Sequence, residues 1–174
     1  MSASYIILTD DLGLIRARAQ GIRRVKSRLK GALQEFSLSV ISFVHGRSGW
    51  KITTAISARN FFTEVKDIQA RKIMAHISDL LIHLITGEEK NAEIFSAVKN
   101  GFLSLTDGGK NIHNIEAVIL TRVLHSLGYV ASNENIAILL KDFADFSPPV
   151  LSHASTHKAS IVLVINKGLK ESQL

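Results

Sequence analysis

The pattern of apolar and polar positions divides the chain near residue 60. Before it, apolar residues come in short β-branched runs or alternate with polar ones. Tyr5-Ile6-Ile7-Leu8 is a short apolar strand, and Asp10-Asp11-Leu12-Gly13 supplies turn residues after it. Leu14, Arg16, Arg18 and Gln20 then alternate with Ile15, Ala17 and Ala19. A period of two puts the four larger residues on one face of a strand and the small apolar ones on the other. Residues 21–31 lack any apolar period and read as a long basic loop. Leu33 to Val44 reads as a strand, Gly46-Arg47-Ser48-Gly49 as a hairpin turn, and Trp50 to Ile56 as the returning strand. Short strands joined by tight turns predict a small β-barrel.

After Asn60 the period becomes 3.6. Ile73, Ile77, Leu80, Leu81 and Leu84 mark one helix face, with Gly87 as a stop. Asn91 caps a second helix carrying Ile94, Phe95, Val98, Phe102 and Leu105, which Asp107-Gly108-Gly109 ends. Ile112, Ile115, Ile119, Val123 and Leu127 mark a third, closed by Gly128. Ser132 or Asn133 opens a fourth, through Ile136, Leu139, Leu140 and Phe143. Ser147-Pro148-Pro149 reads as a cap with proline at the first helical positions, and residues 159–169 as a last helix rather than a strand. The expected fold is α+β, strands then helices: a barrel-like domain over residues 1–62 and a helical domain over 63–174.

Charge sharpens this picture. The chain has 174 residues and a net charge of +6, yet residues 1–60 hold 10 Lys/Arg against 3 Asp/Glu. The basic excess therefore belongs to the first third. Arg16, Arg18, Arg23, Arg24, Lys26, Arg28 and Lys30 crowd a stretch with no acidic residue between Asp11 and Glu35. Like charges at this density repel, and a polyanionic partner relieves the repulsion. These seven are the candidate nucleic-acid-binding residues. Trp50 beside Lys51 could stack a base, though a buried hairpin-edge tryptophan is the expected state, and Phe36 and Phe43 are expected in the core.

The search for other chemistry returns little. With no cysteine, disulfides, thiolate metal sites and thiol nucleophiles are excluded. No phosphate-binding glycine loop and no nucleophile elbow is present. The seven histidines are scattered, and His76 and His83, seven apart, lack the spacing of a zinc pair, so they read as structural. Asp10-Asp11 and Glu88-Glu89 fall at turns or helix starts, where acids serve a helix dipole. No catalytic residue, metal, cofactor or small-molecule substrate is expected. The most apolar stretch, 73–85, is broken by His76, Asp79 and His83 and is too short to span a membrane.

Several of these stretches resemble a known family. Residues Leu12-Gly13-Leu14-Ile15-Arg16-Ala17-Arg18-Ala19-Gln20-Gly21, then Arg23 through Ser37 with its Lys26-Ser27-Arg28-Leu29 and Ala32-Leu33-Gln34 segments, are similar to the signature strand and loop of the bacterial recombination mediator RecO. Gly87-Glu88-Glu89-Lys90-Asn91 and Leu127-Gly128-Tyr129 resemble that family's inter-helix turn and helix end. The resemblance implies an oligonucleotide-binding (OB) fold followed by helices. It also implies binding of single- and double-stranded DNA, annealing of complementary strands, and loading of RecA together with RecR and single-stranded-DNA-binding protein, in the bacterial cytoplasm at the nucleoid. Two departures stand out. Residues 130–135 carry no Cys-x-x-Cys, so the zinc ribbon of many members is absent. The family's first strand, ahead of the stretch matching Tyr5 to Thr9, is also missing, so an open barrel edge is expected: either the natural start lies upstream, or a partner or the tail covers the edge. An adaptor that completes its barrel on a partner chain, and an RNA-binding OB protein, are the alternative readings.

Overall fold

The structure is a computed structural model and describes residues 2–20, 29–107 and 111–173. The chain forms two compact units, Met1–Glu64 with Gly87–Lys90, and Val65–Thr86 with Asn91–Leu174.

The first unit is a four-stranded mixed sheet: β1 (Ser2–Thr9), β2 (Gly13–Gln20), β3 (Ser37–Gly46) and β4 (Gly49–Asn60), in the order β1-β2-β4-β3. β1 pairs antiparallel with β2, β3 antiparallel with β4, and β2 parallel with β4 through Ala17–Trp50, Arg18–Lys51 and Ala19–Ile52. The alternation read along β2 holds: Ile15, Ala17 and Ala19 are buried, while Arg16, Arg18 and Gln20 are exposed. The buried set joins Ile52, Ala55, Ala32 and Leu33 in one cluster, with Tyr5, Ile7, Ile41, Phe43 and Trp50 packed around it. This defines an inner, apolar face and an outer face.

Of the expected architecture the open edge is present and the barrel is not: the four strands form a sheet that does not close on itself. Closure requires the outermost strands to pair with each other, and among the described residues β1 and β3 remain edges, each hydrogen-bonded to one neighbour. The start of β3 also differs. Leu33 to Phe36 do not belong to the strand: a single helical turn, α1 (Leu29–Ala32), and a bend intervene. Leu33 is drawn into the core as the residue after α1, and Phe36 takes a left-handed backbone (φ +58°). Its carbonyl accepts from the Phe61 amide at 3.0 Å, and its ring stacks on Phe62 at 5.4 Å. Phe36 is thus half-buried on Phe62 rather than part of the core cluster, whereas Phe43 packs against that cluster. β4 is longer than its apolar run suggests and contains two register shifts, opposite Leu38/Ser39 and Ser42/Phe43, which keep both Ile52 and Ala55 facing inward.

The second unit is helical, entered after α2 (Phe61–Glu64): α3 (Ile68–Leu84), α4 (Ala92–Thr106), α5 (Ile112–Ser126), α6 (Pro148–Thr156) and α7 (Lys158–Glu171). α5 is central, touching α3, α4, α6 and α7, and its run from Val118 to Leu124 is buried throughout. Several sequence expectations hold. Asn91 caps α4, its side chain accepting from the Ile94 amide at 3.0 Å. Gly128 adopts φ +82° just beyond α5, and the tail is helical. Pro148 and Pro149 occupy the first turn of α6, but Ser147 makes no side-chain cap bond.

The expected fourth helix is reduced to a 3-10 turn, Ala137–Leu140. The reason lies in competing hydrogen bonds. Asn133, Asp142 and Asp145 each accept from a backbone amide two residues on (Asn135, Ala144 and Ser147) at 2.8–3.0 Å, which favours turns over a helix. Arg122, from α5, claims carbonyls of the same segment: Nε donates to Leu139 O at 2.7 Å, Nη1 to Phe143 O at 3.2 Å and Nη2 to Asp145 O at 2.7 Å. The guanidinium also lies over the Phe146 ring at 4.7 Å.

Candidate nucleic-acid interface

The site begins with the pleat of β2. Residues two apart on a strand project from the same face about 7 Å apart. Arg16 and Arg18 therefore stand side by side on the outer face, opposite buried Ala17. The parallel pairing of β2 with β4 sets Lys51 directly across from Arg18, on a strand about 5 Å away. Ser4 flanks Arg18 on its other side and Ile6 flanks Arg16. Three exposed cations thus share a small area. Lys51 was legible only as a neighbour of Trp50, because its place beside Arg18 depends on a pairing between segments about thirty residues apart.

Charge pairing separates these cations from others in the unit. Arg59 is bound to Glu64, and Lys90 to Asp11 at 2.8 Å. Those contacts hold the Glu64 carboxyl below its ordinary range, chiefly by the Arg59 hydrogen bond, and raise Lys90, chiefly by its bond to Asp11. Among the described residues, Arg16, Arg18, Lys30 and Lys51 have no carboxylate at ion-pair distance. Their charge is available to an outside anion.

The remaining candidates separate. Lys30 is exposed on α1, whose Ala32, with Leu33 just after it, packs on the inner face, so it does not share the face of Arg16 and Arg18. Arg23, Arg24, Lys26 and Arg28 lie outside the described residues. Arg47 is exposed at the tip of the β3–β4 hairpin.

Aromatic side chains are turned away from this face. Tyr5, Phe43 and Trp50 pack around the inner cluster. Trp50 packs against the inner cluster but is half-buried rather than buried: His45 and Phe43 contact it edge-on at 4.7 and 6.2 Å, and its Nε1 donates to Glu88 at 2.8 Å. Glu88 thus serves the sheet unit rather than a helix dipole, and so does its neighbour's backbone. Gly13 (φ +69°) lies so close to Glu89 that an added Cβ would sit 2.1 Å from the Glu89 carbonyl oxygen. The segment Gly87–Lys90 is therefore fastened to the β1–β2 turn and to Trp50 by three separate contacts.

The histidines are accounted for by the fold. His76 and His113 both face Glu116, at 3.1 and 3.5 Å, His125 bonds Val130 O, and His153 bonds Asn135 O, each at 2.8 Å. Among the described residues no group of three or more His, Asp or Glu side chains is placed to hold a metal ion, and no helix is long and apolar enough to cross a membrane.

The fold and this face define a two-unit α+β protein with an open, cation-bearing sheet. Comparison with known proteins agrees with the motifs. No protein-family model matches the chain. It is 30% identical over 89 residues to a DNA repair protein RecO from Dehalococcoides mccartyi, covering 51% of this chain and 35% of that one. It is 23% identical to one from Caldanaerobacter subterraneus (76% and 53%) and 26% identical to one from a Nostoc species (80% and 50%). The chain is thus a distant homologue of proteins named DNA repair protein RecO, over 51–80% of its length. It spans between about a third and a half of the curated relatives it matches.

Proposed function

We propose that this protein is a non-catalytic DNA-binding mediator of recombination and repair that holds the phosphate backbone on the outer face of its sheet. The observation that carries the reading is the unpaired group Arg16, Arg18 and Lys51 on one exposed face, continuous in sequence with the basic stretch at Arg23, Arg24, Lys26, Arg28 and Lys30. The similarity to RecO proteins supports it, and so does the strand order: β1-β2-β4-β3 with β2 and β4 parallel and a helix between β2 and β3 is an OB-like arrangement short of one strand. Residues 1–62 would hold DNA and residues 63–174 form the helical domain.

Mechanism follows from charge. Lys and Arg displace condensed counterions from phosphates, and their release drives binding without reading bases. No aromatic ring of the inner cluster reaches the face, so base stacking contributes little and single and double strands are both accepted. Neutralising two strands lowers their mutual repulsion and favours pairing, the annealing step. RecR, single-stranded-DNA-binding protein and RecA are the partners that the family similarity suggests, in a bacterial cytoplasm.

The triple substitution Arg16→Glu, Arg18→Glu, Lys51→Glu tests the site. All three side chains point to solvent, so folding is preserved. Affinity for a labelled oligonucleotide is expected to fall by roughly tenfold or more at low salt, alike for unrelated base sequences. Unchanged affinity would remove the outer face as the DNA site.

A further inference from the structure

The two edge strands lack the features that normally keep an edge unpaired. Edges are usually protected by charged residues, proline, bulges or brevity. β3 is ten residues long, Ser-Leu-Ser-Val-Ile-Ser-Phe-Val-His-Gly, with no Lys, Arg, Asp, Glu or Pro. The charges of the sheet sit instead on the interior strands, at Arg16, Arg18, Lys51 and Arg59. Both extra residues of the β3–β4 register shifts also lie on β4, so β3 itself runs without an insertion. Its outer side chains are unusually open: Val40 is 72% and Val44 54% exposed, beside Ile56 at 70% on β4.

An unpaired row of N–H and C=O groups recognises an extended backbone. The side chains then select which one. Val40-Ile41-Ser42-Phe43-Val44 reads nearly the same in both directions about Ser42. Two β3 strands placed antiparallel with Ser42 opposite Ser42 bring Val40 opposite Val44 on the outer face and Ile41 opposite Phe43 on the inner face. Every apolar position meets an apolar position. The same register carries Arg47 of each copy to Ser37 at the start of the other's β3, two residues from exposed Glu35, a charge of opposite sign. β1 has no such symmetry: antiparallel self-pairing about Ile6 would set Ser4 against Leu8.

We propose that β3 is a self-association edge at which a second copy of this chain pairs, in the register centred on Ser42, to make one eight-stranded sheet. The two outer faces then lie on the same side of that sheet, with the Arg16, Arg18 and Lys51 groups of both copies facing one way. The pairing does not depend on DNA binding.

Sedimentation of the full chain at rising concentration, in enough salt to screen its net charge, tests this. The expected mass is about twice 19.1 kDa. Ser42 is exposed and outward, so Ser42→Lys and Ser42→Glu should each fold and each stay at the single-chain mass, since each sets like charges opposite one another. An equimolar mixture of the two should return to the doubled mass. A native chain that stays at 19.1 kDa throughout overturns the proposal, and so does a Ser42→Lys variant that dimerises like the native chain. A mixture that fails to recover overturns the register. Ser4→Lys, on the other edge, should leave the dimer intact, and loss of the dimer there would move the seam to β1.

Discussion

Replacing Arg122 with alanine is expected to destabilise the helical unit by about 3–5 kcal/mol. The guanidinium is fully buried and satisfies three carbonyls, those of Leu139, Phe143 and Asp145, none of which belongs to a continuing α-helix that could supply another donor. Truncation leaves all three facing a void beside Phe146. Burial lowers the Arg122 pKa to about 10, and the nearby charges of Asp145 and Asp142 act in the opposite direction. The group therefore stays charged at neutral pH. Asp145 is held below the usual carboxylate range, first by the Ser147 bonds and then by Arg122, so the segment from Leu139 to Ser147 is organised around a single cation. Arg122→Lys keeps the charge but can reach only part of this acceptor set, and should recover a minor share of the loss. Thermal unfolding followed by far-ultraviolet circular dichroism reads the helices. A fall in the midpoint of roughly 10 °C is expected, and a fall of about a degree would show that the three bonds are not what holds the segment.

Gly13→Ala has the second-largest expected effect, about 3 kcal/mol, and it falls on the sheet unit. Two costs add. A left-handed residue disfavours any Cβ by roughly 1–2 kcal/mol. The new methyl would also meet the Glu89 carbonyl oxygen at 2.1 Å, and backbone cannot swing aside as a flexible side chain does. The segment Gly87–Lys90 must move, taking with it the Lys90–Asp11 pair and the Glu88 bond to Trp50. Trp50 is the sole tryptophan, so its emission reports the event directly. The variant should show a shifted emission maximum before unfolding and a lower urea midpoint. Native emission with an unchanged midpoint would mean that this contact carries no weight.

Much of this was legible in the chain, and the gaps share a cause. The face of β2 could be read because alternation is local: seven residues from Leu14 to Gln20 decide which side chains point out. Asn91 and Gly128 could be read because caps and stops depend on the residues next to them. What escaped depends on distant partners. Lys51 joins Arg18 through a parallel pairing that no local period reveals. Glu88 and Glu89 look like helix-start acids until the sheet is present to receive them. The apolar spacing of Ile136, Leu139, Leu140 and Phe143 does suit a helix. It yields to Arg122, which arrives from α5 and takes the carbonyls that a helix would have used. The barrel predicted from short strands and tight turns is of the same kind, since it depends on how closely β1 and β3 approach, whereas its open edge was expected.

The most direct test of the DNA-binding account is the salt dependence of affinity, read by fluorescence anisotropy of a labelled single strand. The account predicts tight binding at low salt and an affinity that falls linearly on a log–log plot, with a slope of about −0.7 per phosphate contacted. The Arg16→Glu, Arg18→Glu, Lys51→Glu variant should give a shallower slope, because fewer counterions are released. Absence of binding at low salt, or a native slope that the triple substitution leaves unchanged, would contradict the claim that the outer face of this sheet holds the phosphate backbone.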